Sequence, residues 1–543
     1  MIRLLAALLA WMAVESAALA QAPALVRHGE ATQLVVNGDP YLILGGELSN
    51  SAASSPAYMA PVWPKLEQMG LNTVLAPVSW QLIEPQEGRF DFSTVNALLE
   101  GARAHHLHLV LLWFGAWKNS MSSYVPSWVK RDERRLPRAE LSNGSGEEIL
   151  SAFSSNVLNA DSRAFAALMA HLRTVDSADH TVLMIQVENE IGMLPTARDH
   201  SPAANHAFAS PVPPALTRYL AAHRNTLVRS LRQRWEANGS RMAGSWEQLF
   251  GPGTATEEIF TAWYYARYAD VVARSGKQQY DLPMYANVAL NRPGKAPGEY
   301  PSGGPLPHLI DIWKAGAPAL DMLSPDIYFR NFTSIAADYD RPDNPLFIPE
   351  QGRATVDELM ANAFFAFGEH KAIGYSPFDI DDFSGDRAGT RRQGYGILDA
   401  LTPMMLKAQS AGTIRAAKPA VTFDGTIDDK PQQITLGSYR FTIGFIDPWT
   451  PRDQQHPEDH VAMLIQTGPE DYWVAGRGAV LTSEPVGAGP RIAGIDVDWE
   501  QKLEGGKWSD LRLLNGDETN QGRHIRLPPG EFTVQRFRLY RYR

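Results

Sequence analysis

Thr181-Val182-Leu183-Met184-Ile185-Gln186-Val187-Glu188-Asn189-Glu190 is the stretch on which the reading of this chain turns. Its apolar block is too short for a globular helix, and it has the composition of a strand buried on both faces. It ends on carboxylates. Residues 161–175, just before it, carry the spacing of a helix. A second run, Pro345-Leu346-Phe347-Ile348-Pro349-Glu350, repeats the arrangement of a short apolar strand with an acid at its end. Buried strands fed by helices build parallel sheets. The C-terminal ends of such strands are where a barrel of eight β/α units sets its functional side chains.

Working outward from these two runs, strands and helices alternate. Gln33 to Val36, a tight Asn37-Gly38 turn and Tyr41 to Leu44 read as a hairpin. The hairpin leads into Gly45-Gly46-Glu47-Leu48, the expected first barrel strand. Residues 72–78, 107–114, 181–187, 282–288, 320–327, 345–349 and 372–378 bring the count of strands to eight. Residues 61–70, 94–105 and 161–175 read as helices between them. The fold class expected is therefore α/β, a (β/α)8 TIM barrel over residues 21–412. Residues 191–281 form an insertion on the face that carries Glu190, with 194–214 read as irregular and 215–235 and 257–275 as helices. After residue 412 the period changes to two. Ile495, Val497 and Trp499 alternate with Asp496, Asp498 and Glu500, as in a half-exposed strand. Residues 439–445, 492–499 and 532–542 predict a smaller all-β sandwich over 413–543.

The chain has 543 residues, a formal net charge of −10 and no cysteine. The charge argues against nucleic acid and anionic membrane surfaces as partners. Residues 1–20 read as a secretory signal: Arg3, an apolar run over 4–14, and Ala18-Leu19-Ala20 before Gln21. The alternative for this segment is an uncleaved anchor helix. Export without cysteine points to the periplasm or the exterior of a Gram-negative-type bacterium, with no membrane span once the signal is removed. No Gly-x-Gly-x-x-Gly or Walker sequence follows a strand, so no nucleotide cofactor is expected.

Two carboxylates facing one cleft suit glycoside hydrolysis. On an ideal strand Glu188 and Glu190 point the same way and Asn189 the other. Glu190, just past the strand, lies nearer the loop face and is the better candidate, whereas Glu188 suits a buried, salt-bridged carboxylate. Gln186-Val187-Glu188-Asn189-Glu190-Ile191-Gly192 resembles the acid/base motif of glycoside hydrolase family 35, the retaining β-galactosidases. Pro345 to Glu350 resembles that family's nucleophile strand. Asn72-Thr73-Val74 through Trp80, Glu84-Pro85, Gly88 and Phe90-Asp91-Phe92 resemble its second strand and the following loop. The resemblance spans most of residues 40–400.

It implies Glu190 as general acid/base, Glu350 as nucleophile, Asn189 bonded to the sugar 2-hydroxyl, and Tyr328 orienting the nucleophile. Tyr328 and Arg353 are the expected donors that keep Glu350 ionised. Two departures are visible. The family's Ala-Glu-Trp after strand three is here Gly115-Ala116-Trp117-Lys118-Asn119, with Lys118 or Asn119 in the place of the acid. The family's Tyr before Val-Pro-Trp on strand two is replaced by Pro77-Val78-Ser79-Trp80. These variants and the short sandwich resemble a bacterial subgroup that trims galactose from xyloglucan.

Trp80, Trp113, Trp117, Trp128 and Phe378 either form a sugar platform or pack in the core, and Phe378 with Asp379 follows strand eight. His105-His106-x-His108 reads as a turn and Asp381-Asp382 only faintly as a calcium loop, so no metal is expected. The expectation is an exported retaining exo-β-galactosidase acting on an oligosaccharide with terminal β-galactose, without cofactor. The alternatives are another β-glycosidase of the same barrel clan, or a carbohydrate-binding barrel without catalysis.

Overall fold

The structure is a computed structural model that describes residues 21–352, 355–382, 387–514 and 516–543. The expected signal segment, residues 1–20, lies outside the described residues, as does Arg353. Eight parallel strands form a closed barrel: β1 (Ile43–Glu47), β2 (Thr73–Ser79), β3 (His108–Lys118), β4 (Val182–Asn189), β5 (Met284–Ala289), β6 (Met322–Ile327), β7 (Phe347–Gln351) and β8 (Gly374–Pro377). They follow one another around the ring in chain order, and β8 pairs with β1 to close it.

Every residue of β1, β2, β4, β6, β7 and β8 is buried, which is why these strands read as continuous apolar runs. Alternation sorts their side chains into two layers. Ile43 joins Leu112, Phe114, Leu183, Tyr285 and Phe347 in the barrel lumen, while Leu44 packs outward among the helices. A three-stranded sheet (Ala24–His28, Ala31–Val36, Asp39–Tyr41) precedes β1. It sends Leu34 and Val36 into the lumen cluster and so plugs the N-terminal end of the barrel. Its hairpin turns through Asn37 (φ 53°) and Gly38 (φ 92°), the left-handed pair that a two-residue turn demands.

Helices α1 (Ser155–Asp176) and α2 (Thr254–Lys277) flank β4 and the insertion after it. The insertion differs from the sequence expectation in two places. Residues 215–235 form two helices, Pro214–Ala222 and Arg229–Ala237; between them the Val228 N–H is taken by buried Asp311 Oδ2 at 2.6 Å. Within the stretch read as irregular, Pro202–Ala209 is helical. Ser201 caps its N-terminus and Pro202 occupies the first turn, a start signal that the sequence carries.

Beyond the barrel, α3 (Val356–Glu369) and α4 (Arg387–Ala411) lead into two packed sheets. One holds Ile414–Ala417, Val461–Gln466, Asp471–Arg477, Thr533–Tyr542, Ile492–Glu504 and Lys507–Leu514. The other holds Gln432–Leu436, Tyr439–Gly444, Ala479–Pro485 and His524–Leu527. Leu464, Val474 and Phe537 from the first meet Phe441, Leu481 and Ile525 from the second in a shared core, the construction of a β-sandwich. The six-stranded sheet also packs against α3. Phe364 stacks on Phe532 at 5.0 Å, and a Cβ on Gly368 would lie 2.7 Å from the Ala416 methyl. No described helix is long and apolar enough to cross a membrane.

Candidate active site

The site is shaped by an irregularity between β3 and β4. Trp113 pairs with Val187 and the next partners are Lys118 and Asn189, so Phe114 to Trp117 bulge opposite Glu188 alone. Glu188 (φ 62°) and Glu190 (φ 46°) both take the left-handed backbone conformation, which is unfavourable for a side chain of this size. The alternation expected of an ideal strand therefore fails here, and the two glutamates part. Glu188 turns to the helix layer. Its Oε2 accepts from the Trp117 N–H at 2.8 Å, and it is hydrogen-bonded to Asp161 of α1.

Asp161 accepts from Trp113 Nε1 (2.9 Å), the Tyr268 hydroxyl (2.8 Å) and the Ala116 N–H (3.3 Å). Glu188 is thus held by a second carboxyl, not by the cation expected from sequence. Burial, then the neighbouring acid's charge, pushes the Glu188 carboxyl well above the usual range, so the pair keeps a proton between its oxygens. A Cβ on Gly115 would lie 2.6 Å from Asp161 and 2.7 Å from Glu188, so the bulge needs glycine at that point.

Glu190 remains at the mouth. One carboxylate oxygen from each of Glu190, Asp326 and Glu350 lies within 4.8 Å of the others. Asn287 links two of these residues: its Oδ1 accepts the Glu190 N–H at 2.9 Å and its Nδ2 donates to Asp326 Oδ2 at 2.6 Å. The Tyr328 hydroxyl donates to Glu350 Oε1, while Glu350 Oε2 has no partner among the described residues. Burial and the Glu350 charge push the Tyr328 phenol up, so it serves only as a donor. Phe378 packs edge-on against Tyr328 at 6.3 Å. Lys118 Nζ donates to Asn189 Oδ1 at 2.5 Å and sits 5.0 Å from the centre of the Phe114 ring. This leaves the buried Asn189 amide nitrogen without an acceptor among the described residues.

Burial, then the Glu190 charge, pushes Glu350 up to about 7; Lys118 and the Tyr328 hydrogen bond oppose the rise. Burial also raises Glu190, against Lys118 and a hydrogen bond from Asp326. Asp326 itself is pushed well above the carboxylate range by burial and by the charges of Glu350, Glu190 and Glu47. It holds its proton more tightly than an ordinary aspartate and shares a hydrogen bond with Glu190. Glu190, Asp326 and Glu350 are also the described acids close enough to share a cation.

Glu47 and Asp326 were not anticipated as site residues. Both stand at or near the C-terminal end of a buried strand, the same signal that selected Glu190 and Glu350. Glu47 is 1% exposed, and among the described residues neither carboxylate oxygen has a hydrogen-bond partner. Burial, then the Glu350 charge, pushes it well above the usual range, with Lys118 opposing and Glu190 adding to the rise.

Three of the aromatic and polar candidates lie elsewhere. Trp80 is fully buried and donates to Glu84 Oε2 at 2.9 Å, edge-on to Trp128; a short helix, Trp80–Ile83, folds its ring under the loop after β2. Trp117 is wedged between Tyr265 and Tyr268 of α2, where the bulge turns it outward. Asn119 spends its Oδ1 on the Met121 N–H (2.7 Å) and Ser122 Oγ (3.2 Å) of its own loop; its backbone N–H supports Asn189 at 2.8 Å. Asp379 (φ 57°) is half-buried after β8. The next residues clamp β8 to β1: the Ile380 N–H reaches the Glu47 carbonyl at 3.0 Å, and Asp381 accepts from Ser49 and Tyr58.

Fold and site together define a (β/α)8 barrel with converging carboxyls across its C-terminal mouth, followed by a β-sandwich. The family model described as β-galactosidase, that of glycoside hydrolase family 42, matches residues 61–273, and a domain of unknown function matches residues 391–526. A β-galactosidase of Xanthomonas manihotis is 29% identical over 184 residues; the alignment covers 33% of this chain and 28% of that protein. Among solved structures, a β-galactosidase of the psychrophilic Marinomonas ef1 superposes with a TM-score of 0.46 at 12% identity, over 69% of this chain and 62% of that one. A cold-adapted β-galactosidase of Rahnella sp. R3 gives 0.44 at 16% identity, over 70% and 57%.

Proposed function

We propose that the protein is an exported, retaining exo-β-galactosidase that works by two displacements at Glu350 and Glu190. The observation that carries this reading is the approach of the two carboxylates to within 4.8 Å. Retaining enzymes hold their carboxyls about 5–5.5 Å apart, whereas inverting ones leave about 6.5–9.5 Å for a water. The β-galactosidase family match and the Xanthomonas relative support the choice of sugar.

Glu350 Oε2 is the attacking atom, since Oε1 is held by Tyr328. As it bonds to the anomeric carbon, Glu190 passes its proton to the departing glycosidic oxygen. The ester removes the Glu350 charge, one of the influences that raise acids in this site, and Glu190 becomes the base. It takes a proton from water as the water oxygen attacks the anomeric carbon, and the ester bond breaks to return the Glu350 carboxylate. The free Asn189 amide suits the sugar 2-hydroxyl, a contact that strengthens in the transition state.

The motif resemblance to family 35 supports galactose on xyloglucan side chains as the natural target. The missing acid after β3 favours a second reading, a β-glycosidase of the same clan with another sugar preference. The test is product analysis on galactosylated xyloglucan oligosaccharides, lactose and an aryl β-glucoside, with NMR of the first anomer formed. Galactose released first as the β-anomer is expected. An α-anomer defeats the retaining mechanism, and glucose without galactose defeats the sugar assignment.

A further inference from the structure

Glu47 is the buried acid at the mouth that the two-glutamate chemistry does not use. Its place follows from alternation along β1: Ile43 points into the lumen and Leu44 outward, so Gly45 and Glu47 face the barrel axis. A Cβ on Gly45 would meet Ser376 Oγ of β8 at 2.2 Å, consistent with that inward direction. Glu47 is thus on the top ring, within electrostatic reach of Glu350, Glu190 and Lys118. It is no more enclosed than Asn189. Its main chain is fixed by the Ile380 N–H, so the side chain stands on a rigid strand and not on a loop.

A carboxylate buried with no donor to either oxygen is costly, and buried polar groups are ordinarily satisfied. Here four acids, Glu47, Glu190, Asp326 and Glu350, converge near the Lys118 ammonium. Among the described residues the Glu47 side chain ties no element to another. Two adjacent acceptor oxygens fit a ligand that offers two hydroxyl donors. The sequence also lacks the acid after β3 that its motif relatives use on the sugar.

We infer that Glu47 is a specificity-determining residue that accepts hydrogen bonds from a pair of neighbouring hydroxyls on the glycon, supplied from β1 in place of the missing acid of β3. This rests on the glycosidase reading above.

The test combines Glu47→Gln with deoxygenated substrates. kcat/KM is measured for wild type and variant on the aryl glycoside that wild type turns over fastest, and on its 3-, 4- and 6-deoxy analogues. Loss of the paired hydrogen bonds to the carboxyl predicts a fall of about 10- to 100-fold for the variant on the parent sugar. At one or two of the deoxy positions wild type and variant should then become nearly equal, because the same contact is already gone. Thermal unfolding should show a Tm for Glu47→Gln equal to or above wild type, since a buried carboxyl without a donor is replaced by an uncharged amide of the same shape. An equal penalty at every deoxy position with a lowered Tm would show a structural role and overturn the assignment. An undiminished kcat/KM on the parent sugar would do the same. A wild type inactive on every β-glycoside tried would fail at an earlier step, by removing the glycosidase reading itself.

Discussion

One strand carries two carboxyl pairs with opposite surroundings. Glu188 and Asp161 lie on the outer side of β4, where Trp113, Tyr268 and the Ala116 and Trp117 N–H groups all donate to them. Glu190 and Glu350 lie two residues further on and across the mouth, where Tyr328 binds one Glu350 oxygen and the other has no partner among the described residues. Burial raises the acids of both pairs. What separates them is donor supply: the outer pair receives four protein donors, whereas among the described residues Glu350 of the inner pair receives only that of Tyr328. Structural networks raise carboxyls too, so the elevation alone does not single out the inner pair; its smaller donor supply does.

The largest effect expected from this contrast is at the inner pair. Glu350→Gly should lower kcat by on the order of 10⁴-fold or more, and added azide or formate should restore turnover; an active variant without rescue would erase the distinction between the pairs. Glu190→Gln comes next, with a loss of about 10²- to 10⁴-fold on lactose. On a dinitrophenyl galactoside, whose leaving group needs no proton, the first step should be nearly spared; steady-state and burst kinetics on both substrates check this.

At the outer pair the cost should fall on stability. Asp161→Ala strands the Trp113 and Tyr268 donors and should cost about 2–4 kcal/mol in urea unfolding, while Glu188→Gln keeps kcat/KM within about 10-fold of wild type. A larger catalytic loss in Glu188→Gln would make the outer pair part of the chemistry.

The smallest effect is one of pH. Glu350 is raised from 4.5 to about 7 in the fold. Its contribution to stability is therefore full below the unfolded value and is lost as pH rises through about 7. Glu350→Gln should raise Tm relative to wild type more at pH 8 than at pH 5, as measured by thermal scans across that range.

The barrel was legible because each strand is apolar on both faces and each is separated from the next by helix-forming sequence. The sandwich was legible from the strict alternation around Ile495 to Glu500. The strand-end rule selected Glu190 and Glu350, whose carboxyls converge in the fold, and applied evenly it also marks Glu47 after Gly45-Gly46. The burial of Glu188 was legible, but its carboxyl partner and the fate of Trp117 were not. They depend on a bulge whose extra residues, Phe114 to Trp117, have the composition of ordinary strand; only the Gly115 contact with Asp161, 46 residues later in the chain, shows why it forms. Trp80 was hidden for a similar reason, since aromatic residues near strand ends look alike whether they face a cleft or a helix.

The most direct test of the account is covalent trapping. Wild-type protein is incubated with 2,4-dinitrophenyl 2-deoxy-2-fluoro-β-galactoside, digested, and its peptides sequenced by mass spectrometry. The account predicts one fluorogalactosyl group per chain, esterified to Glu350, with dinitrophenol released in equal amount. A label on Glu190, Glu47 or Asp326, or steady hydrolysis with no label under conditions that trap retaining enzymes, would contradict it.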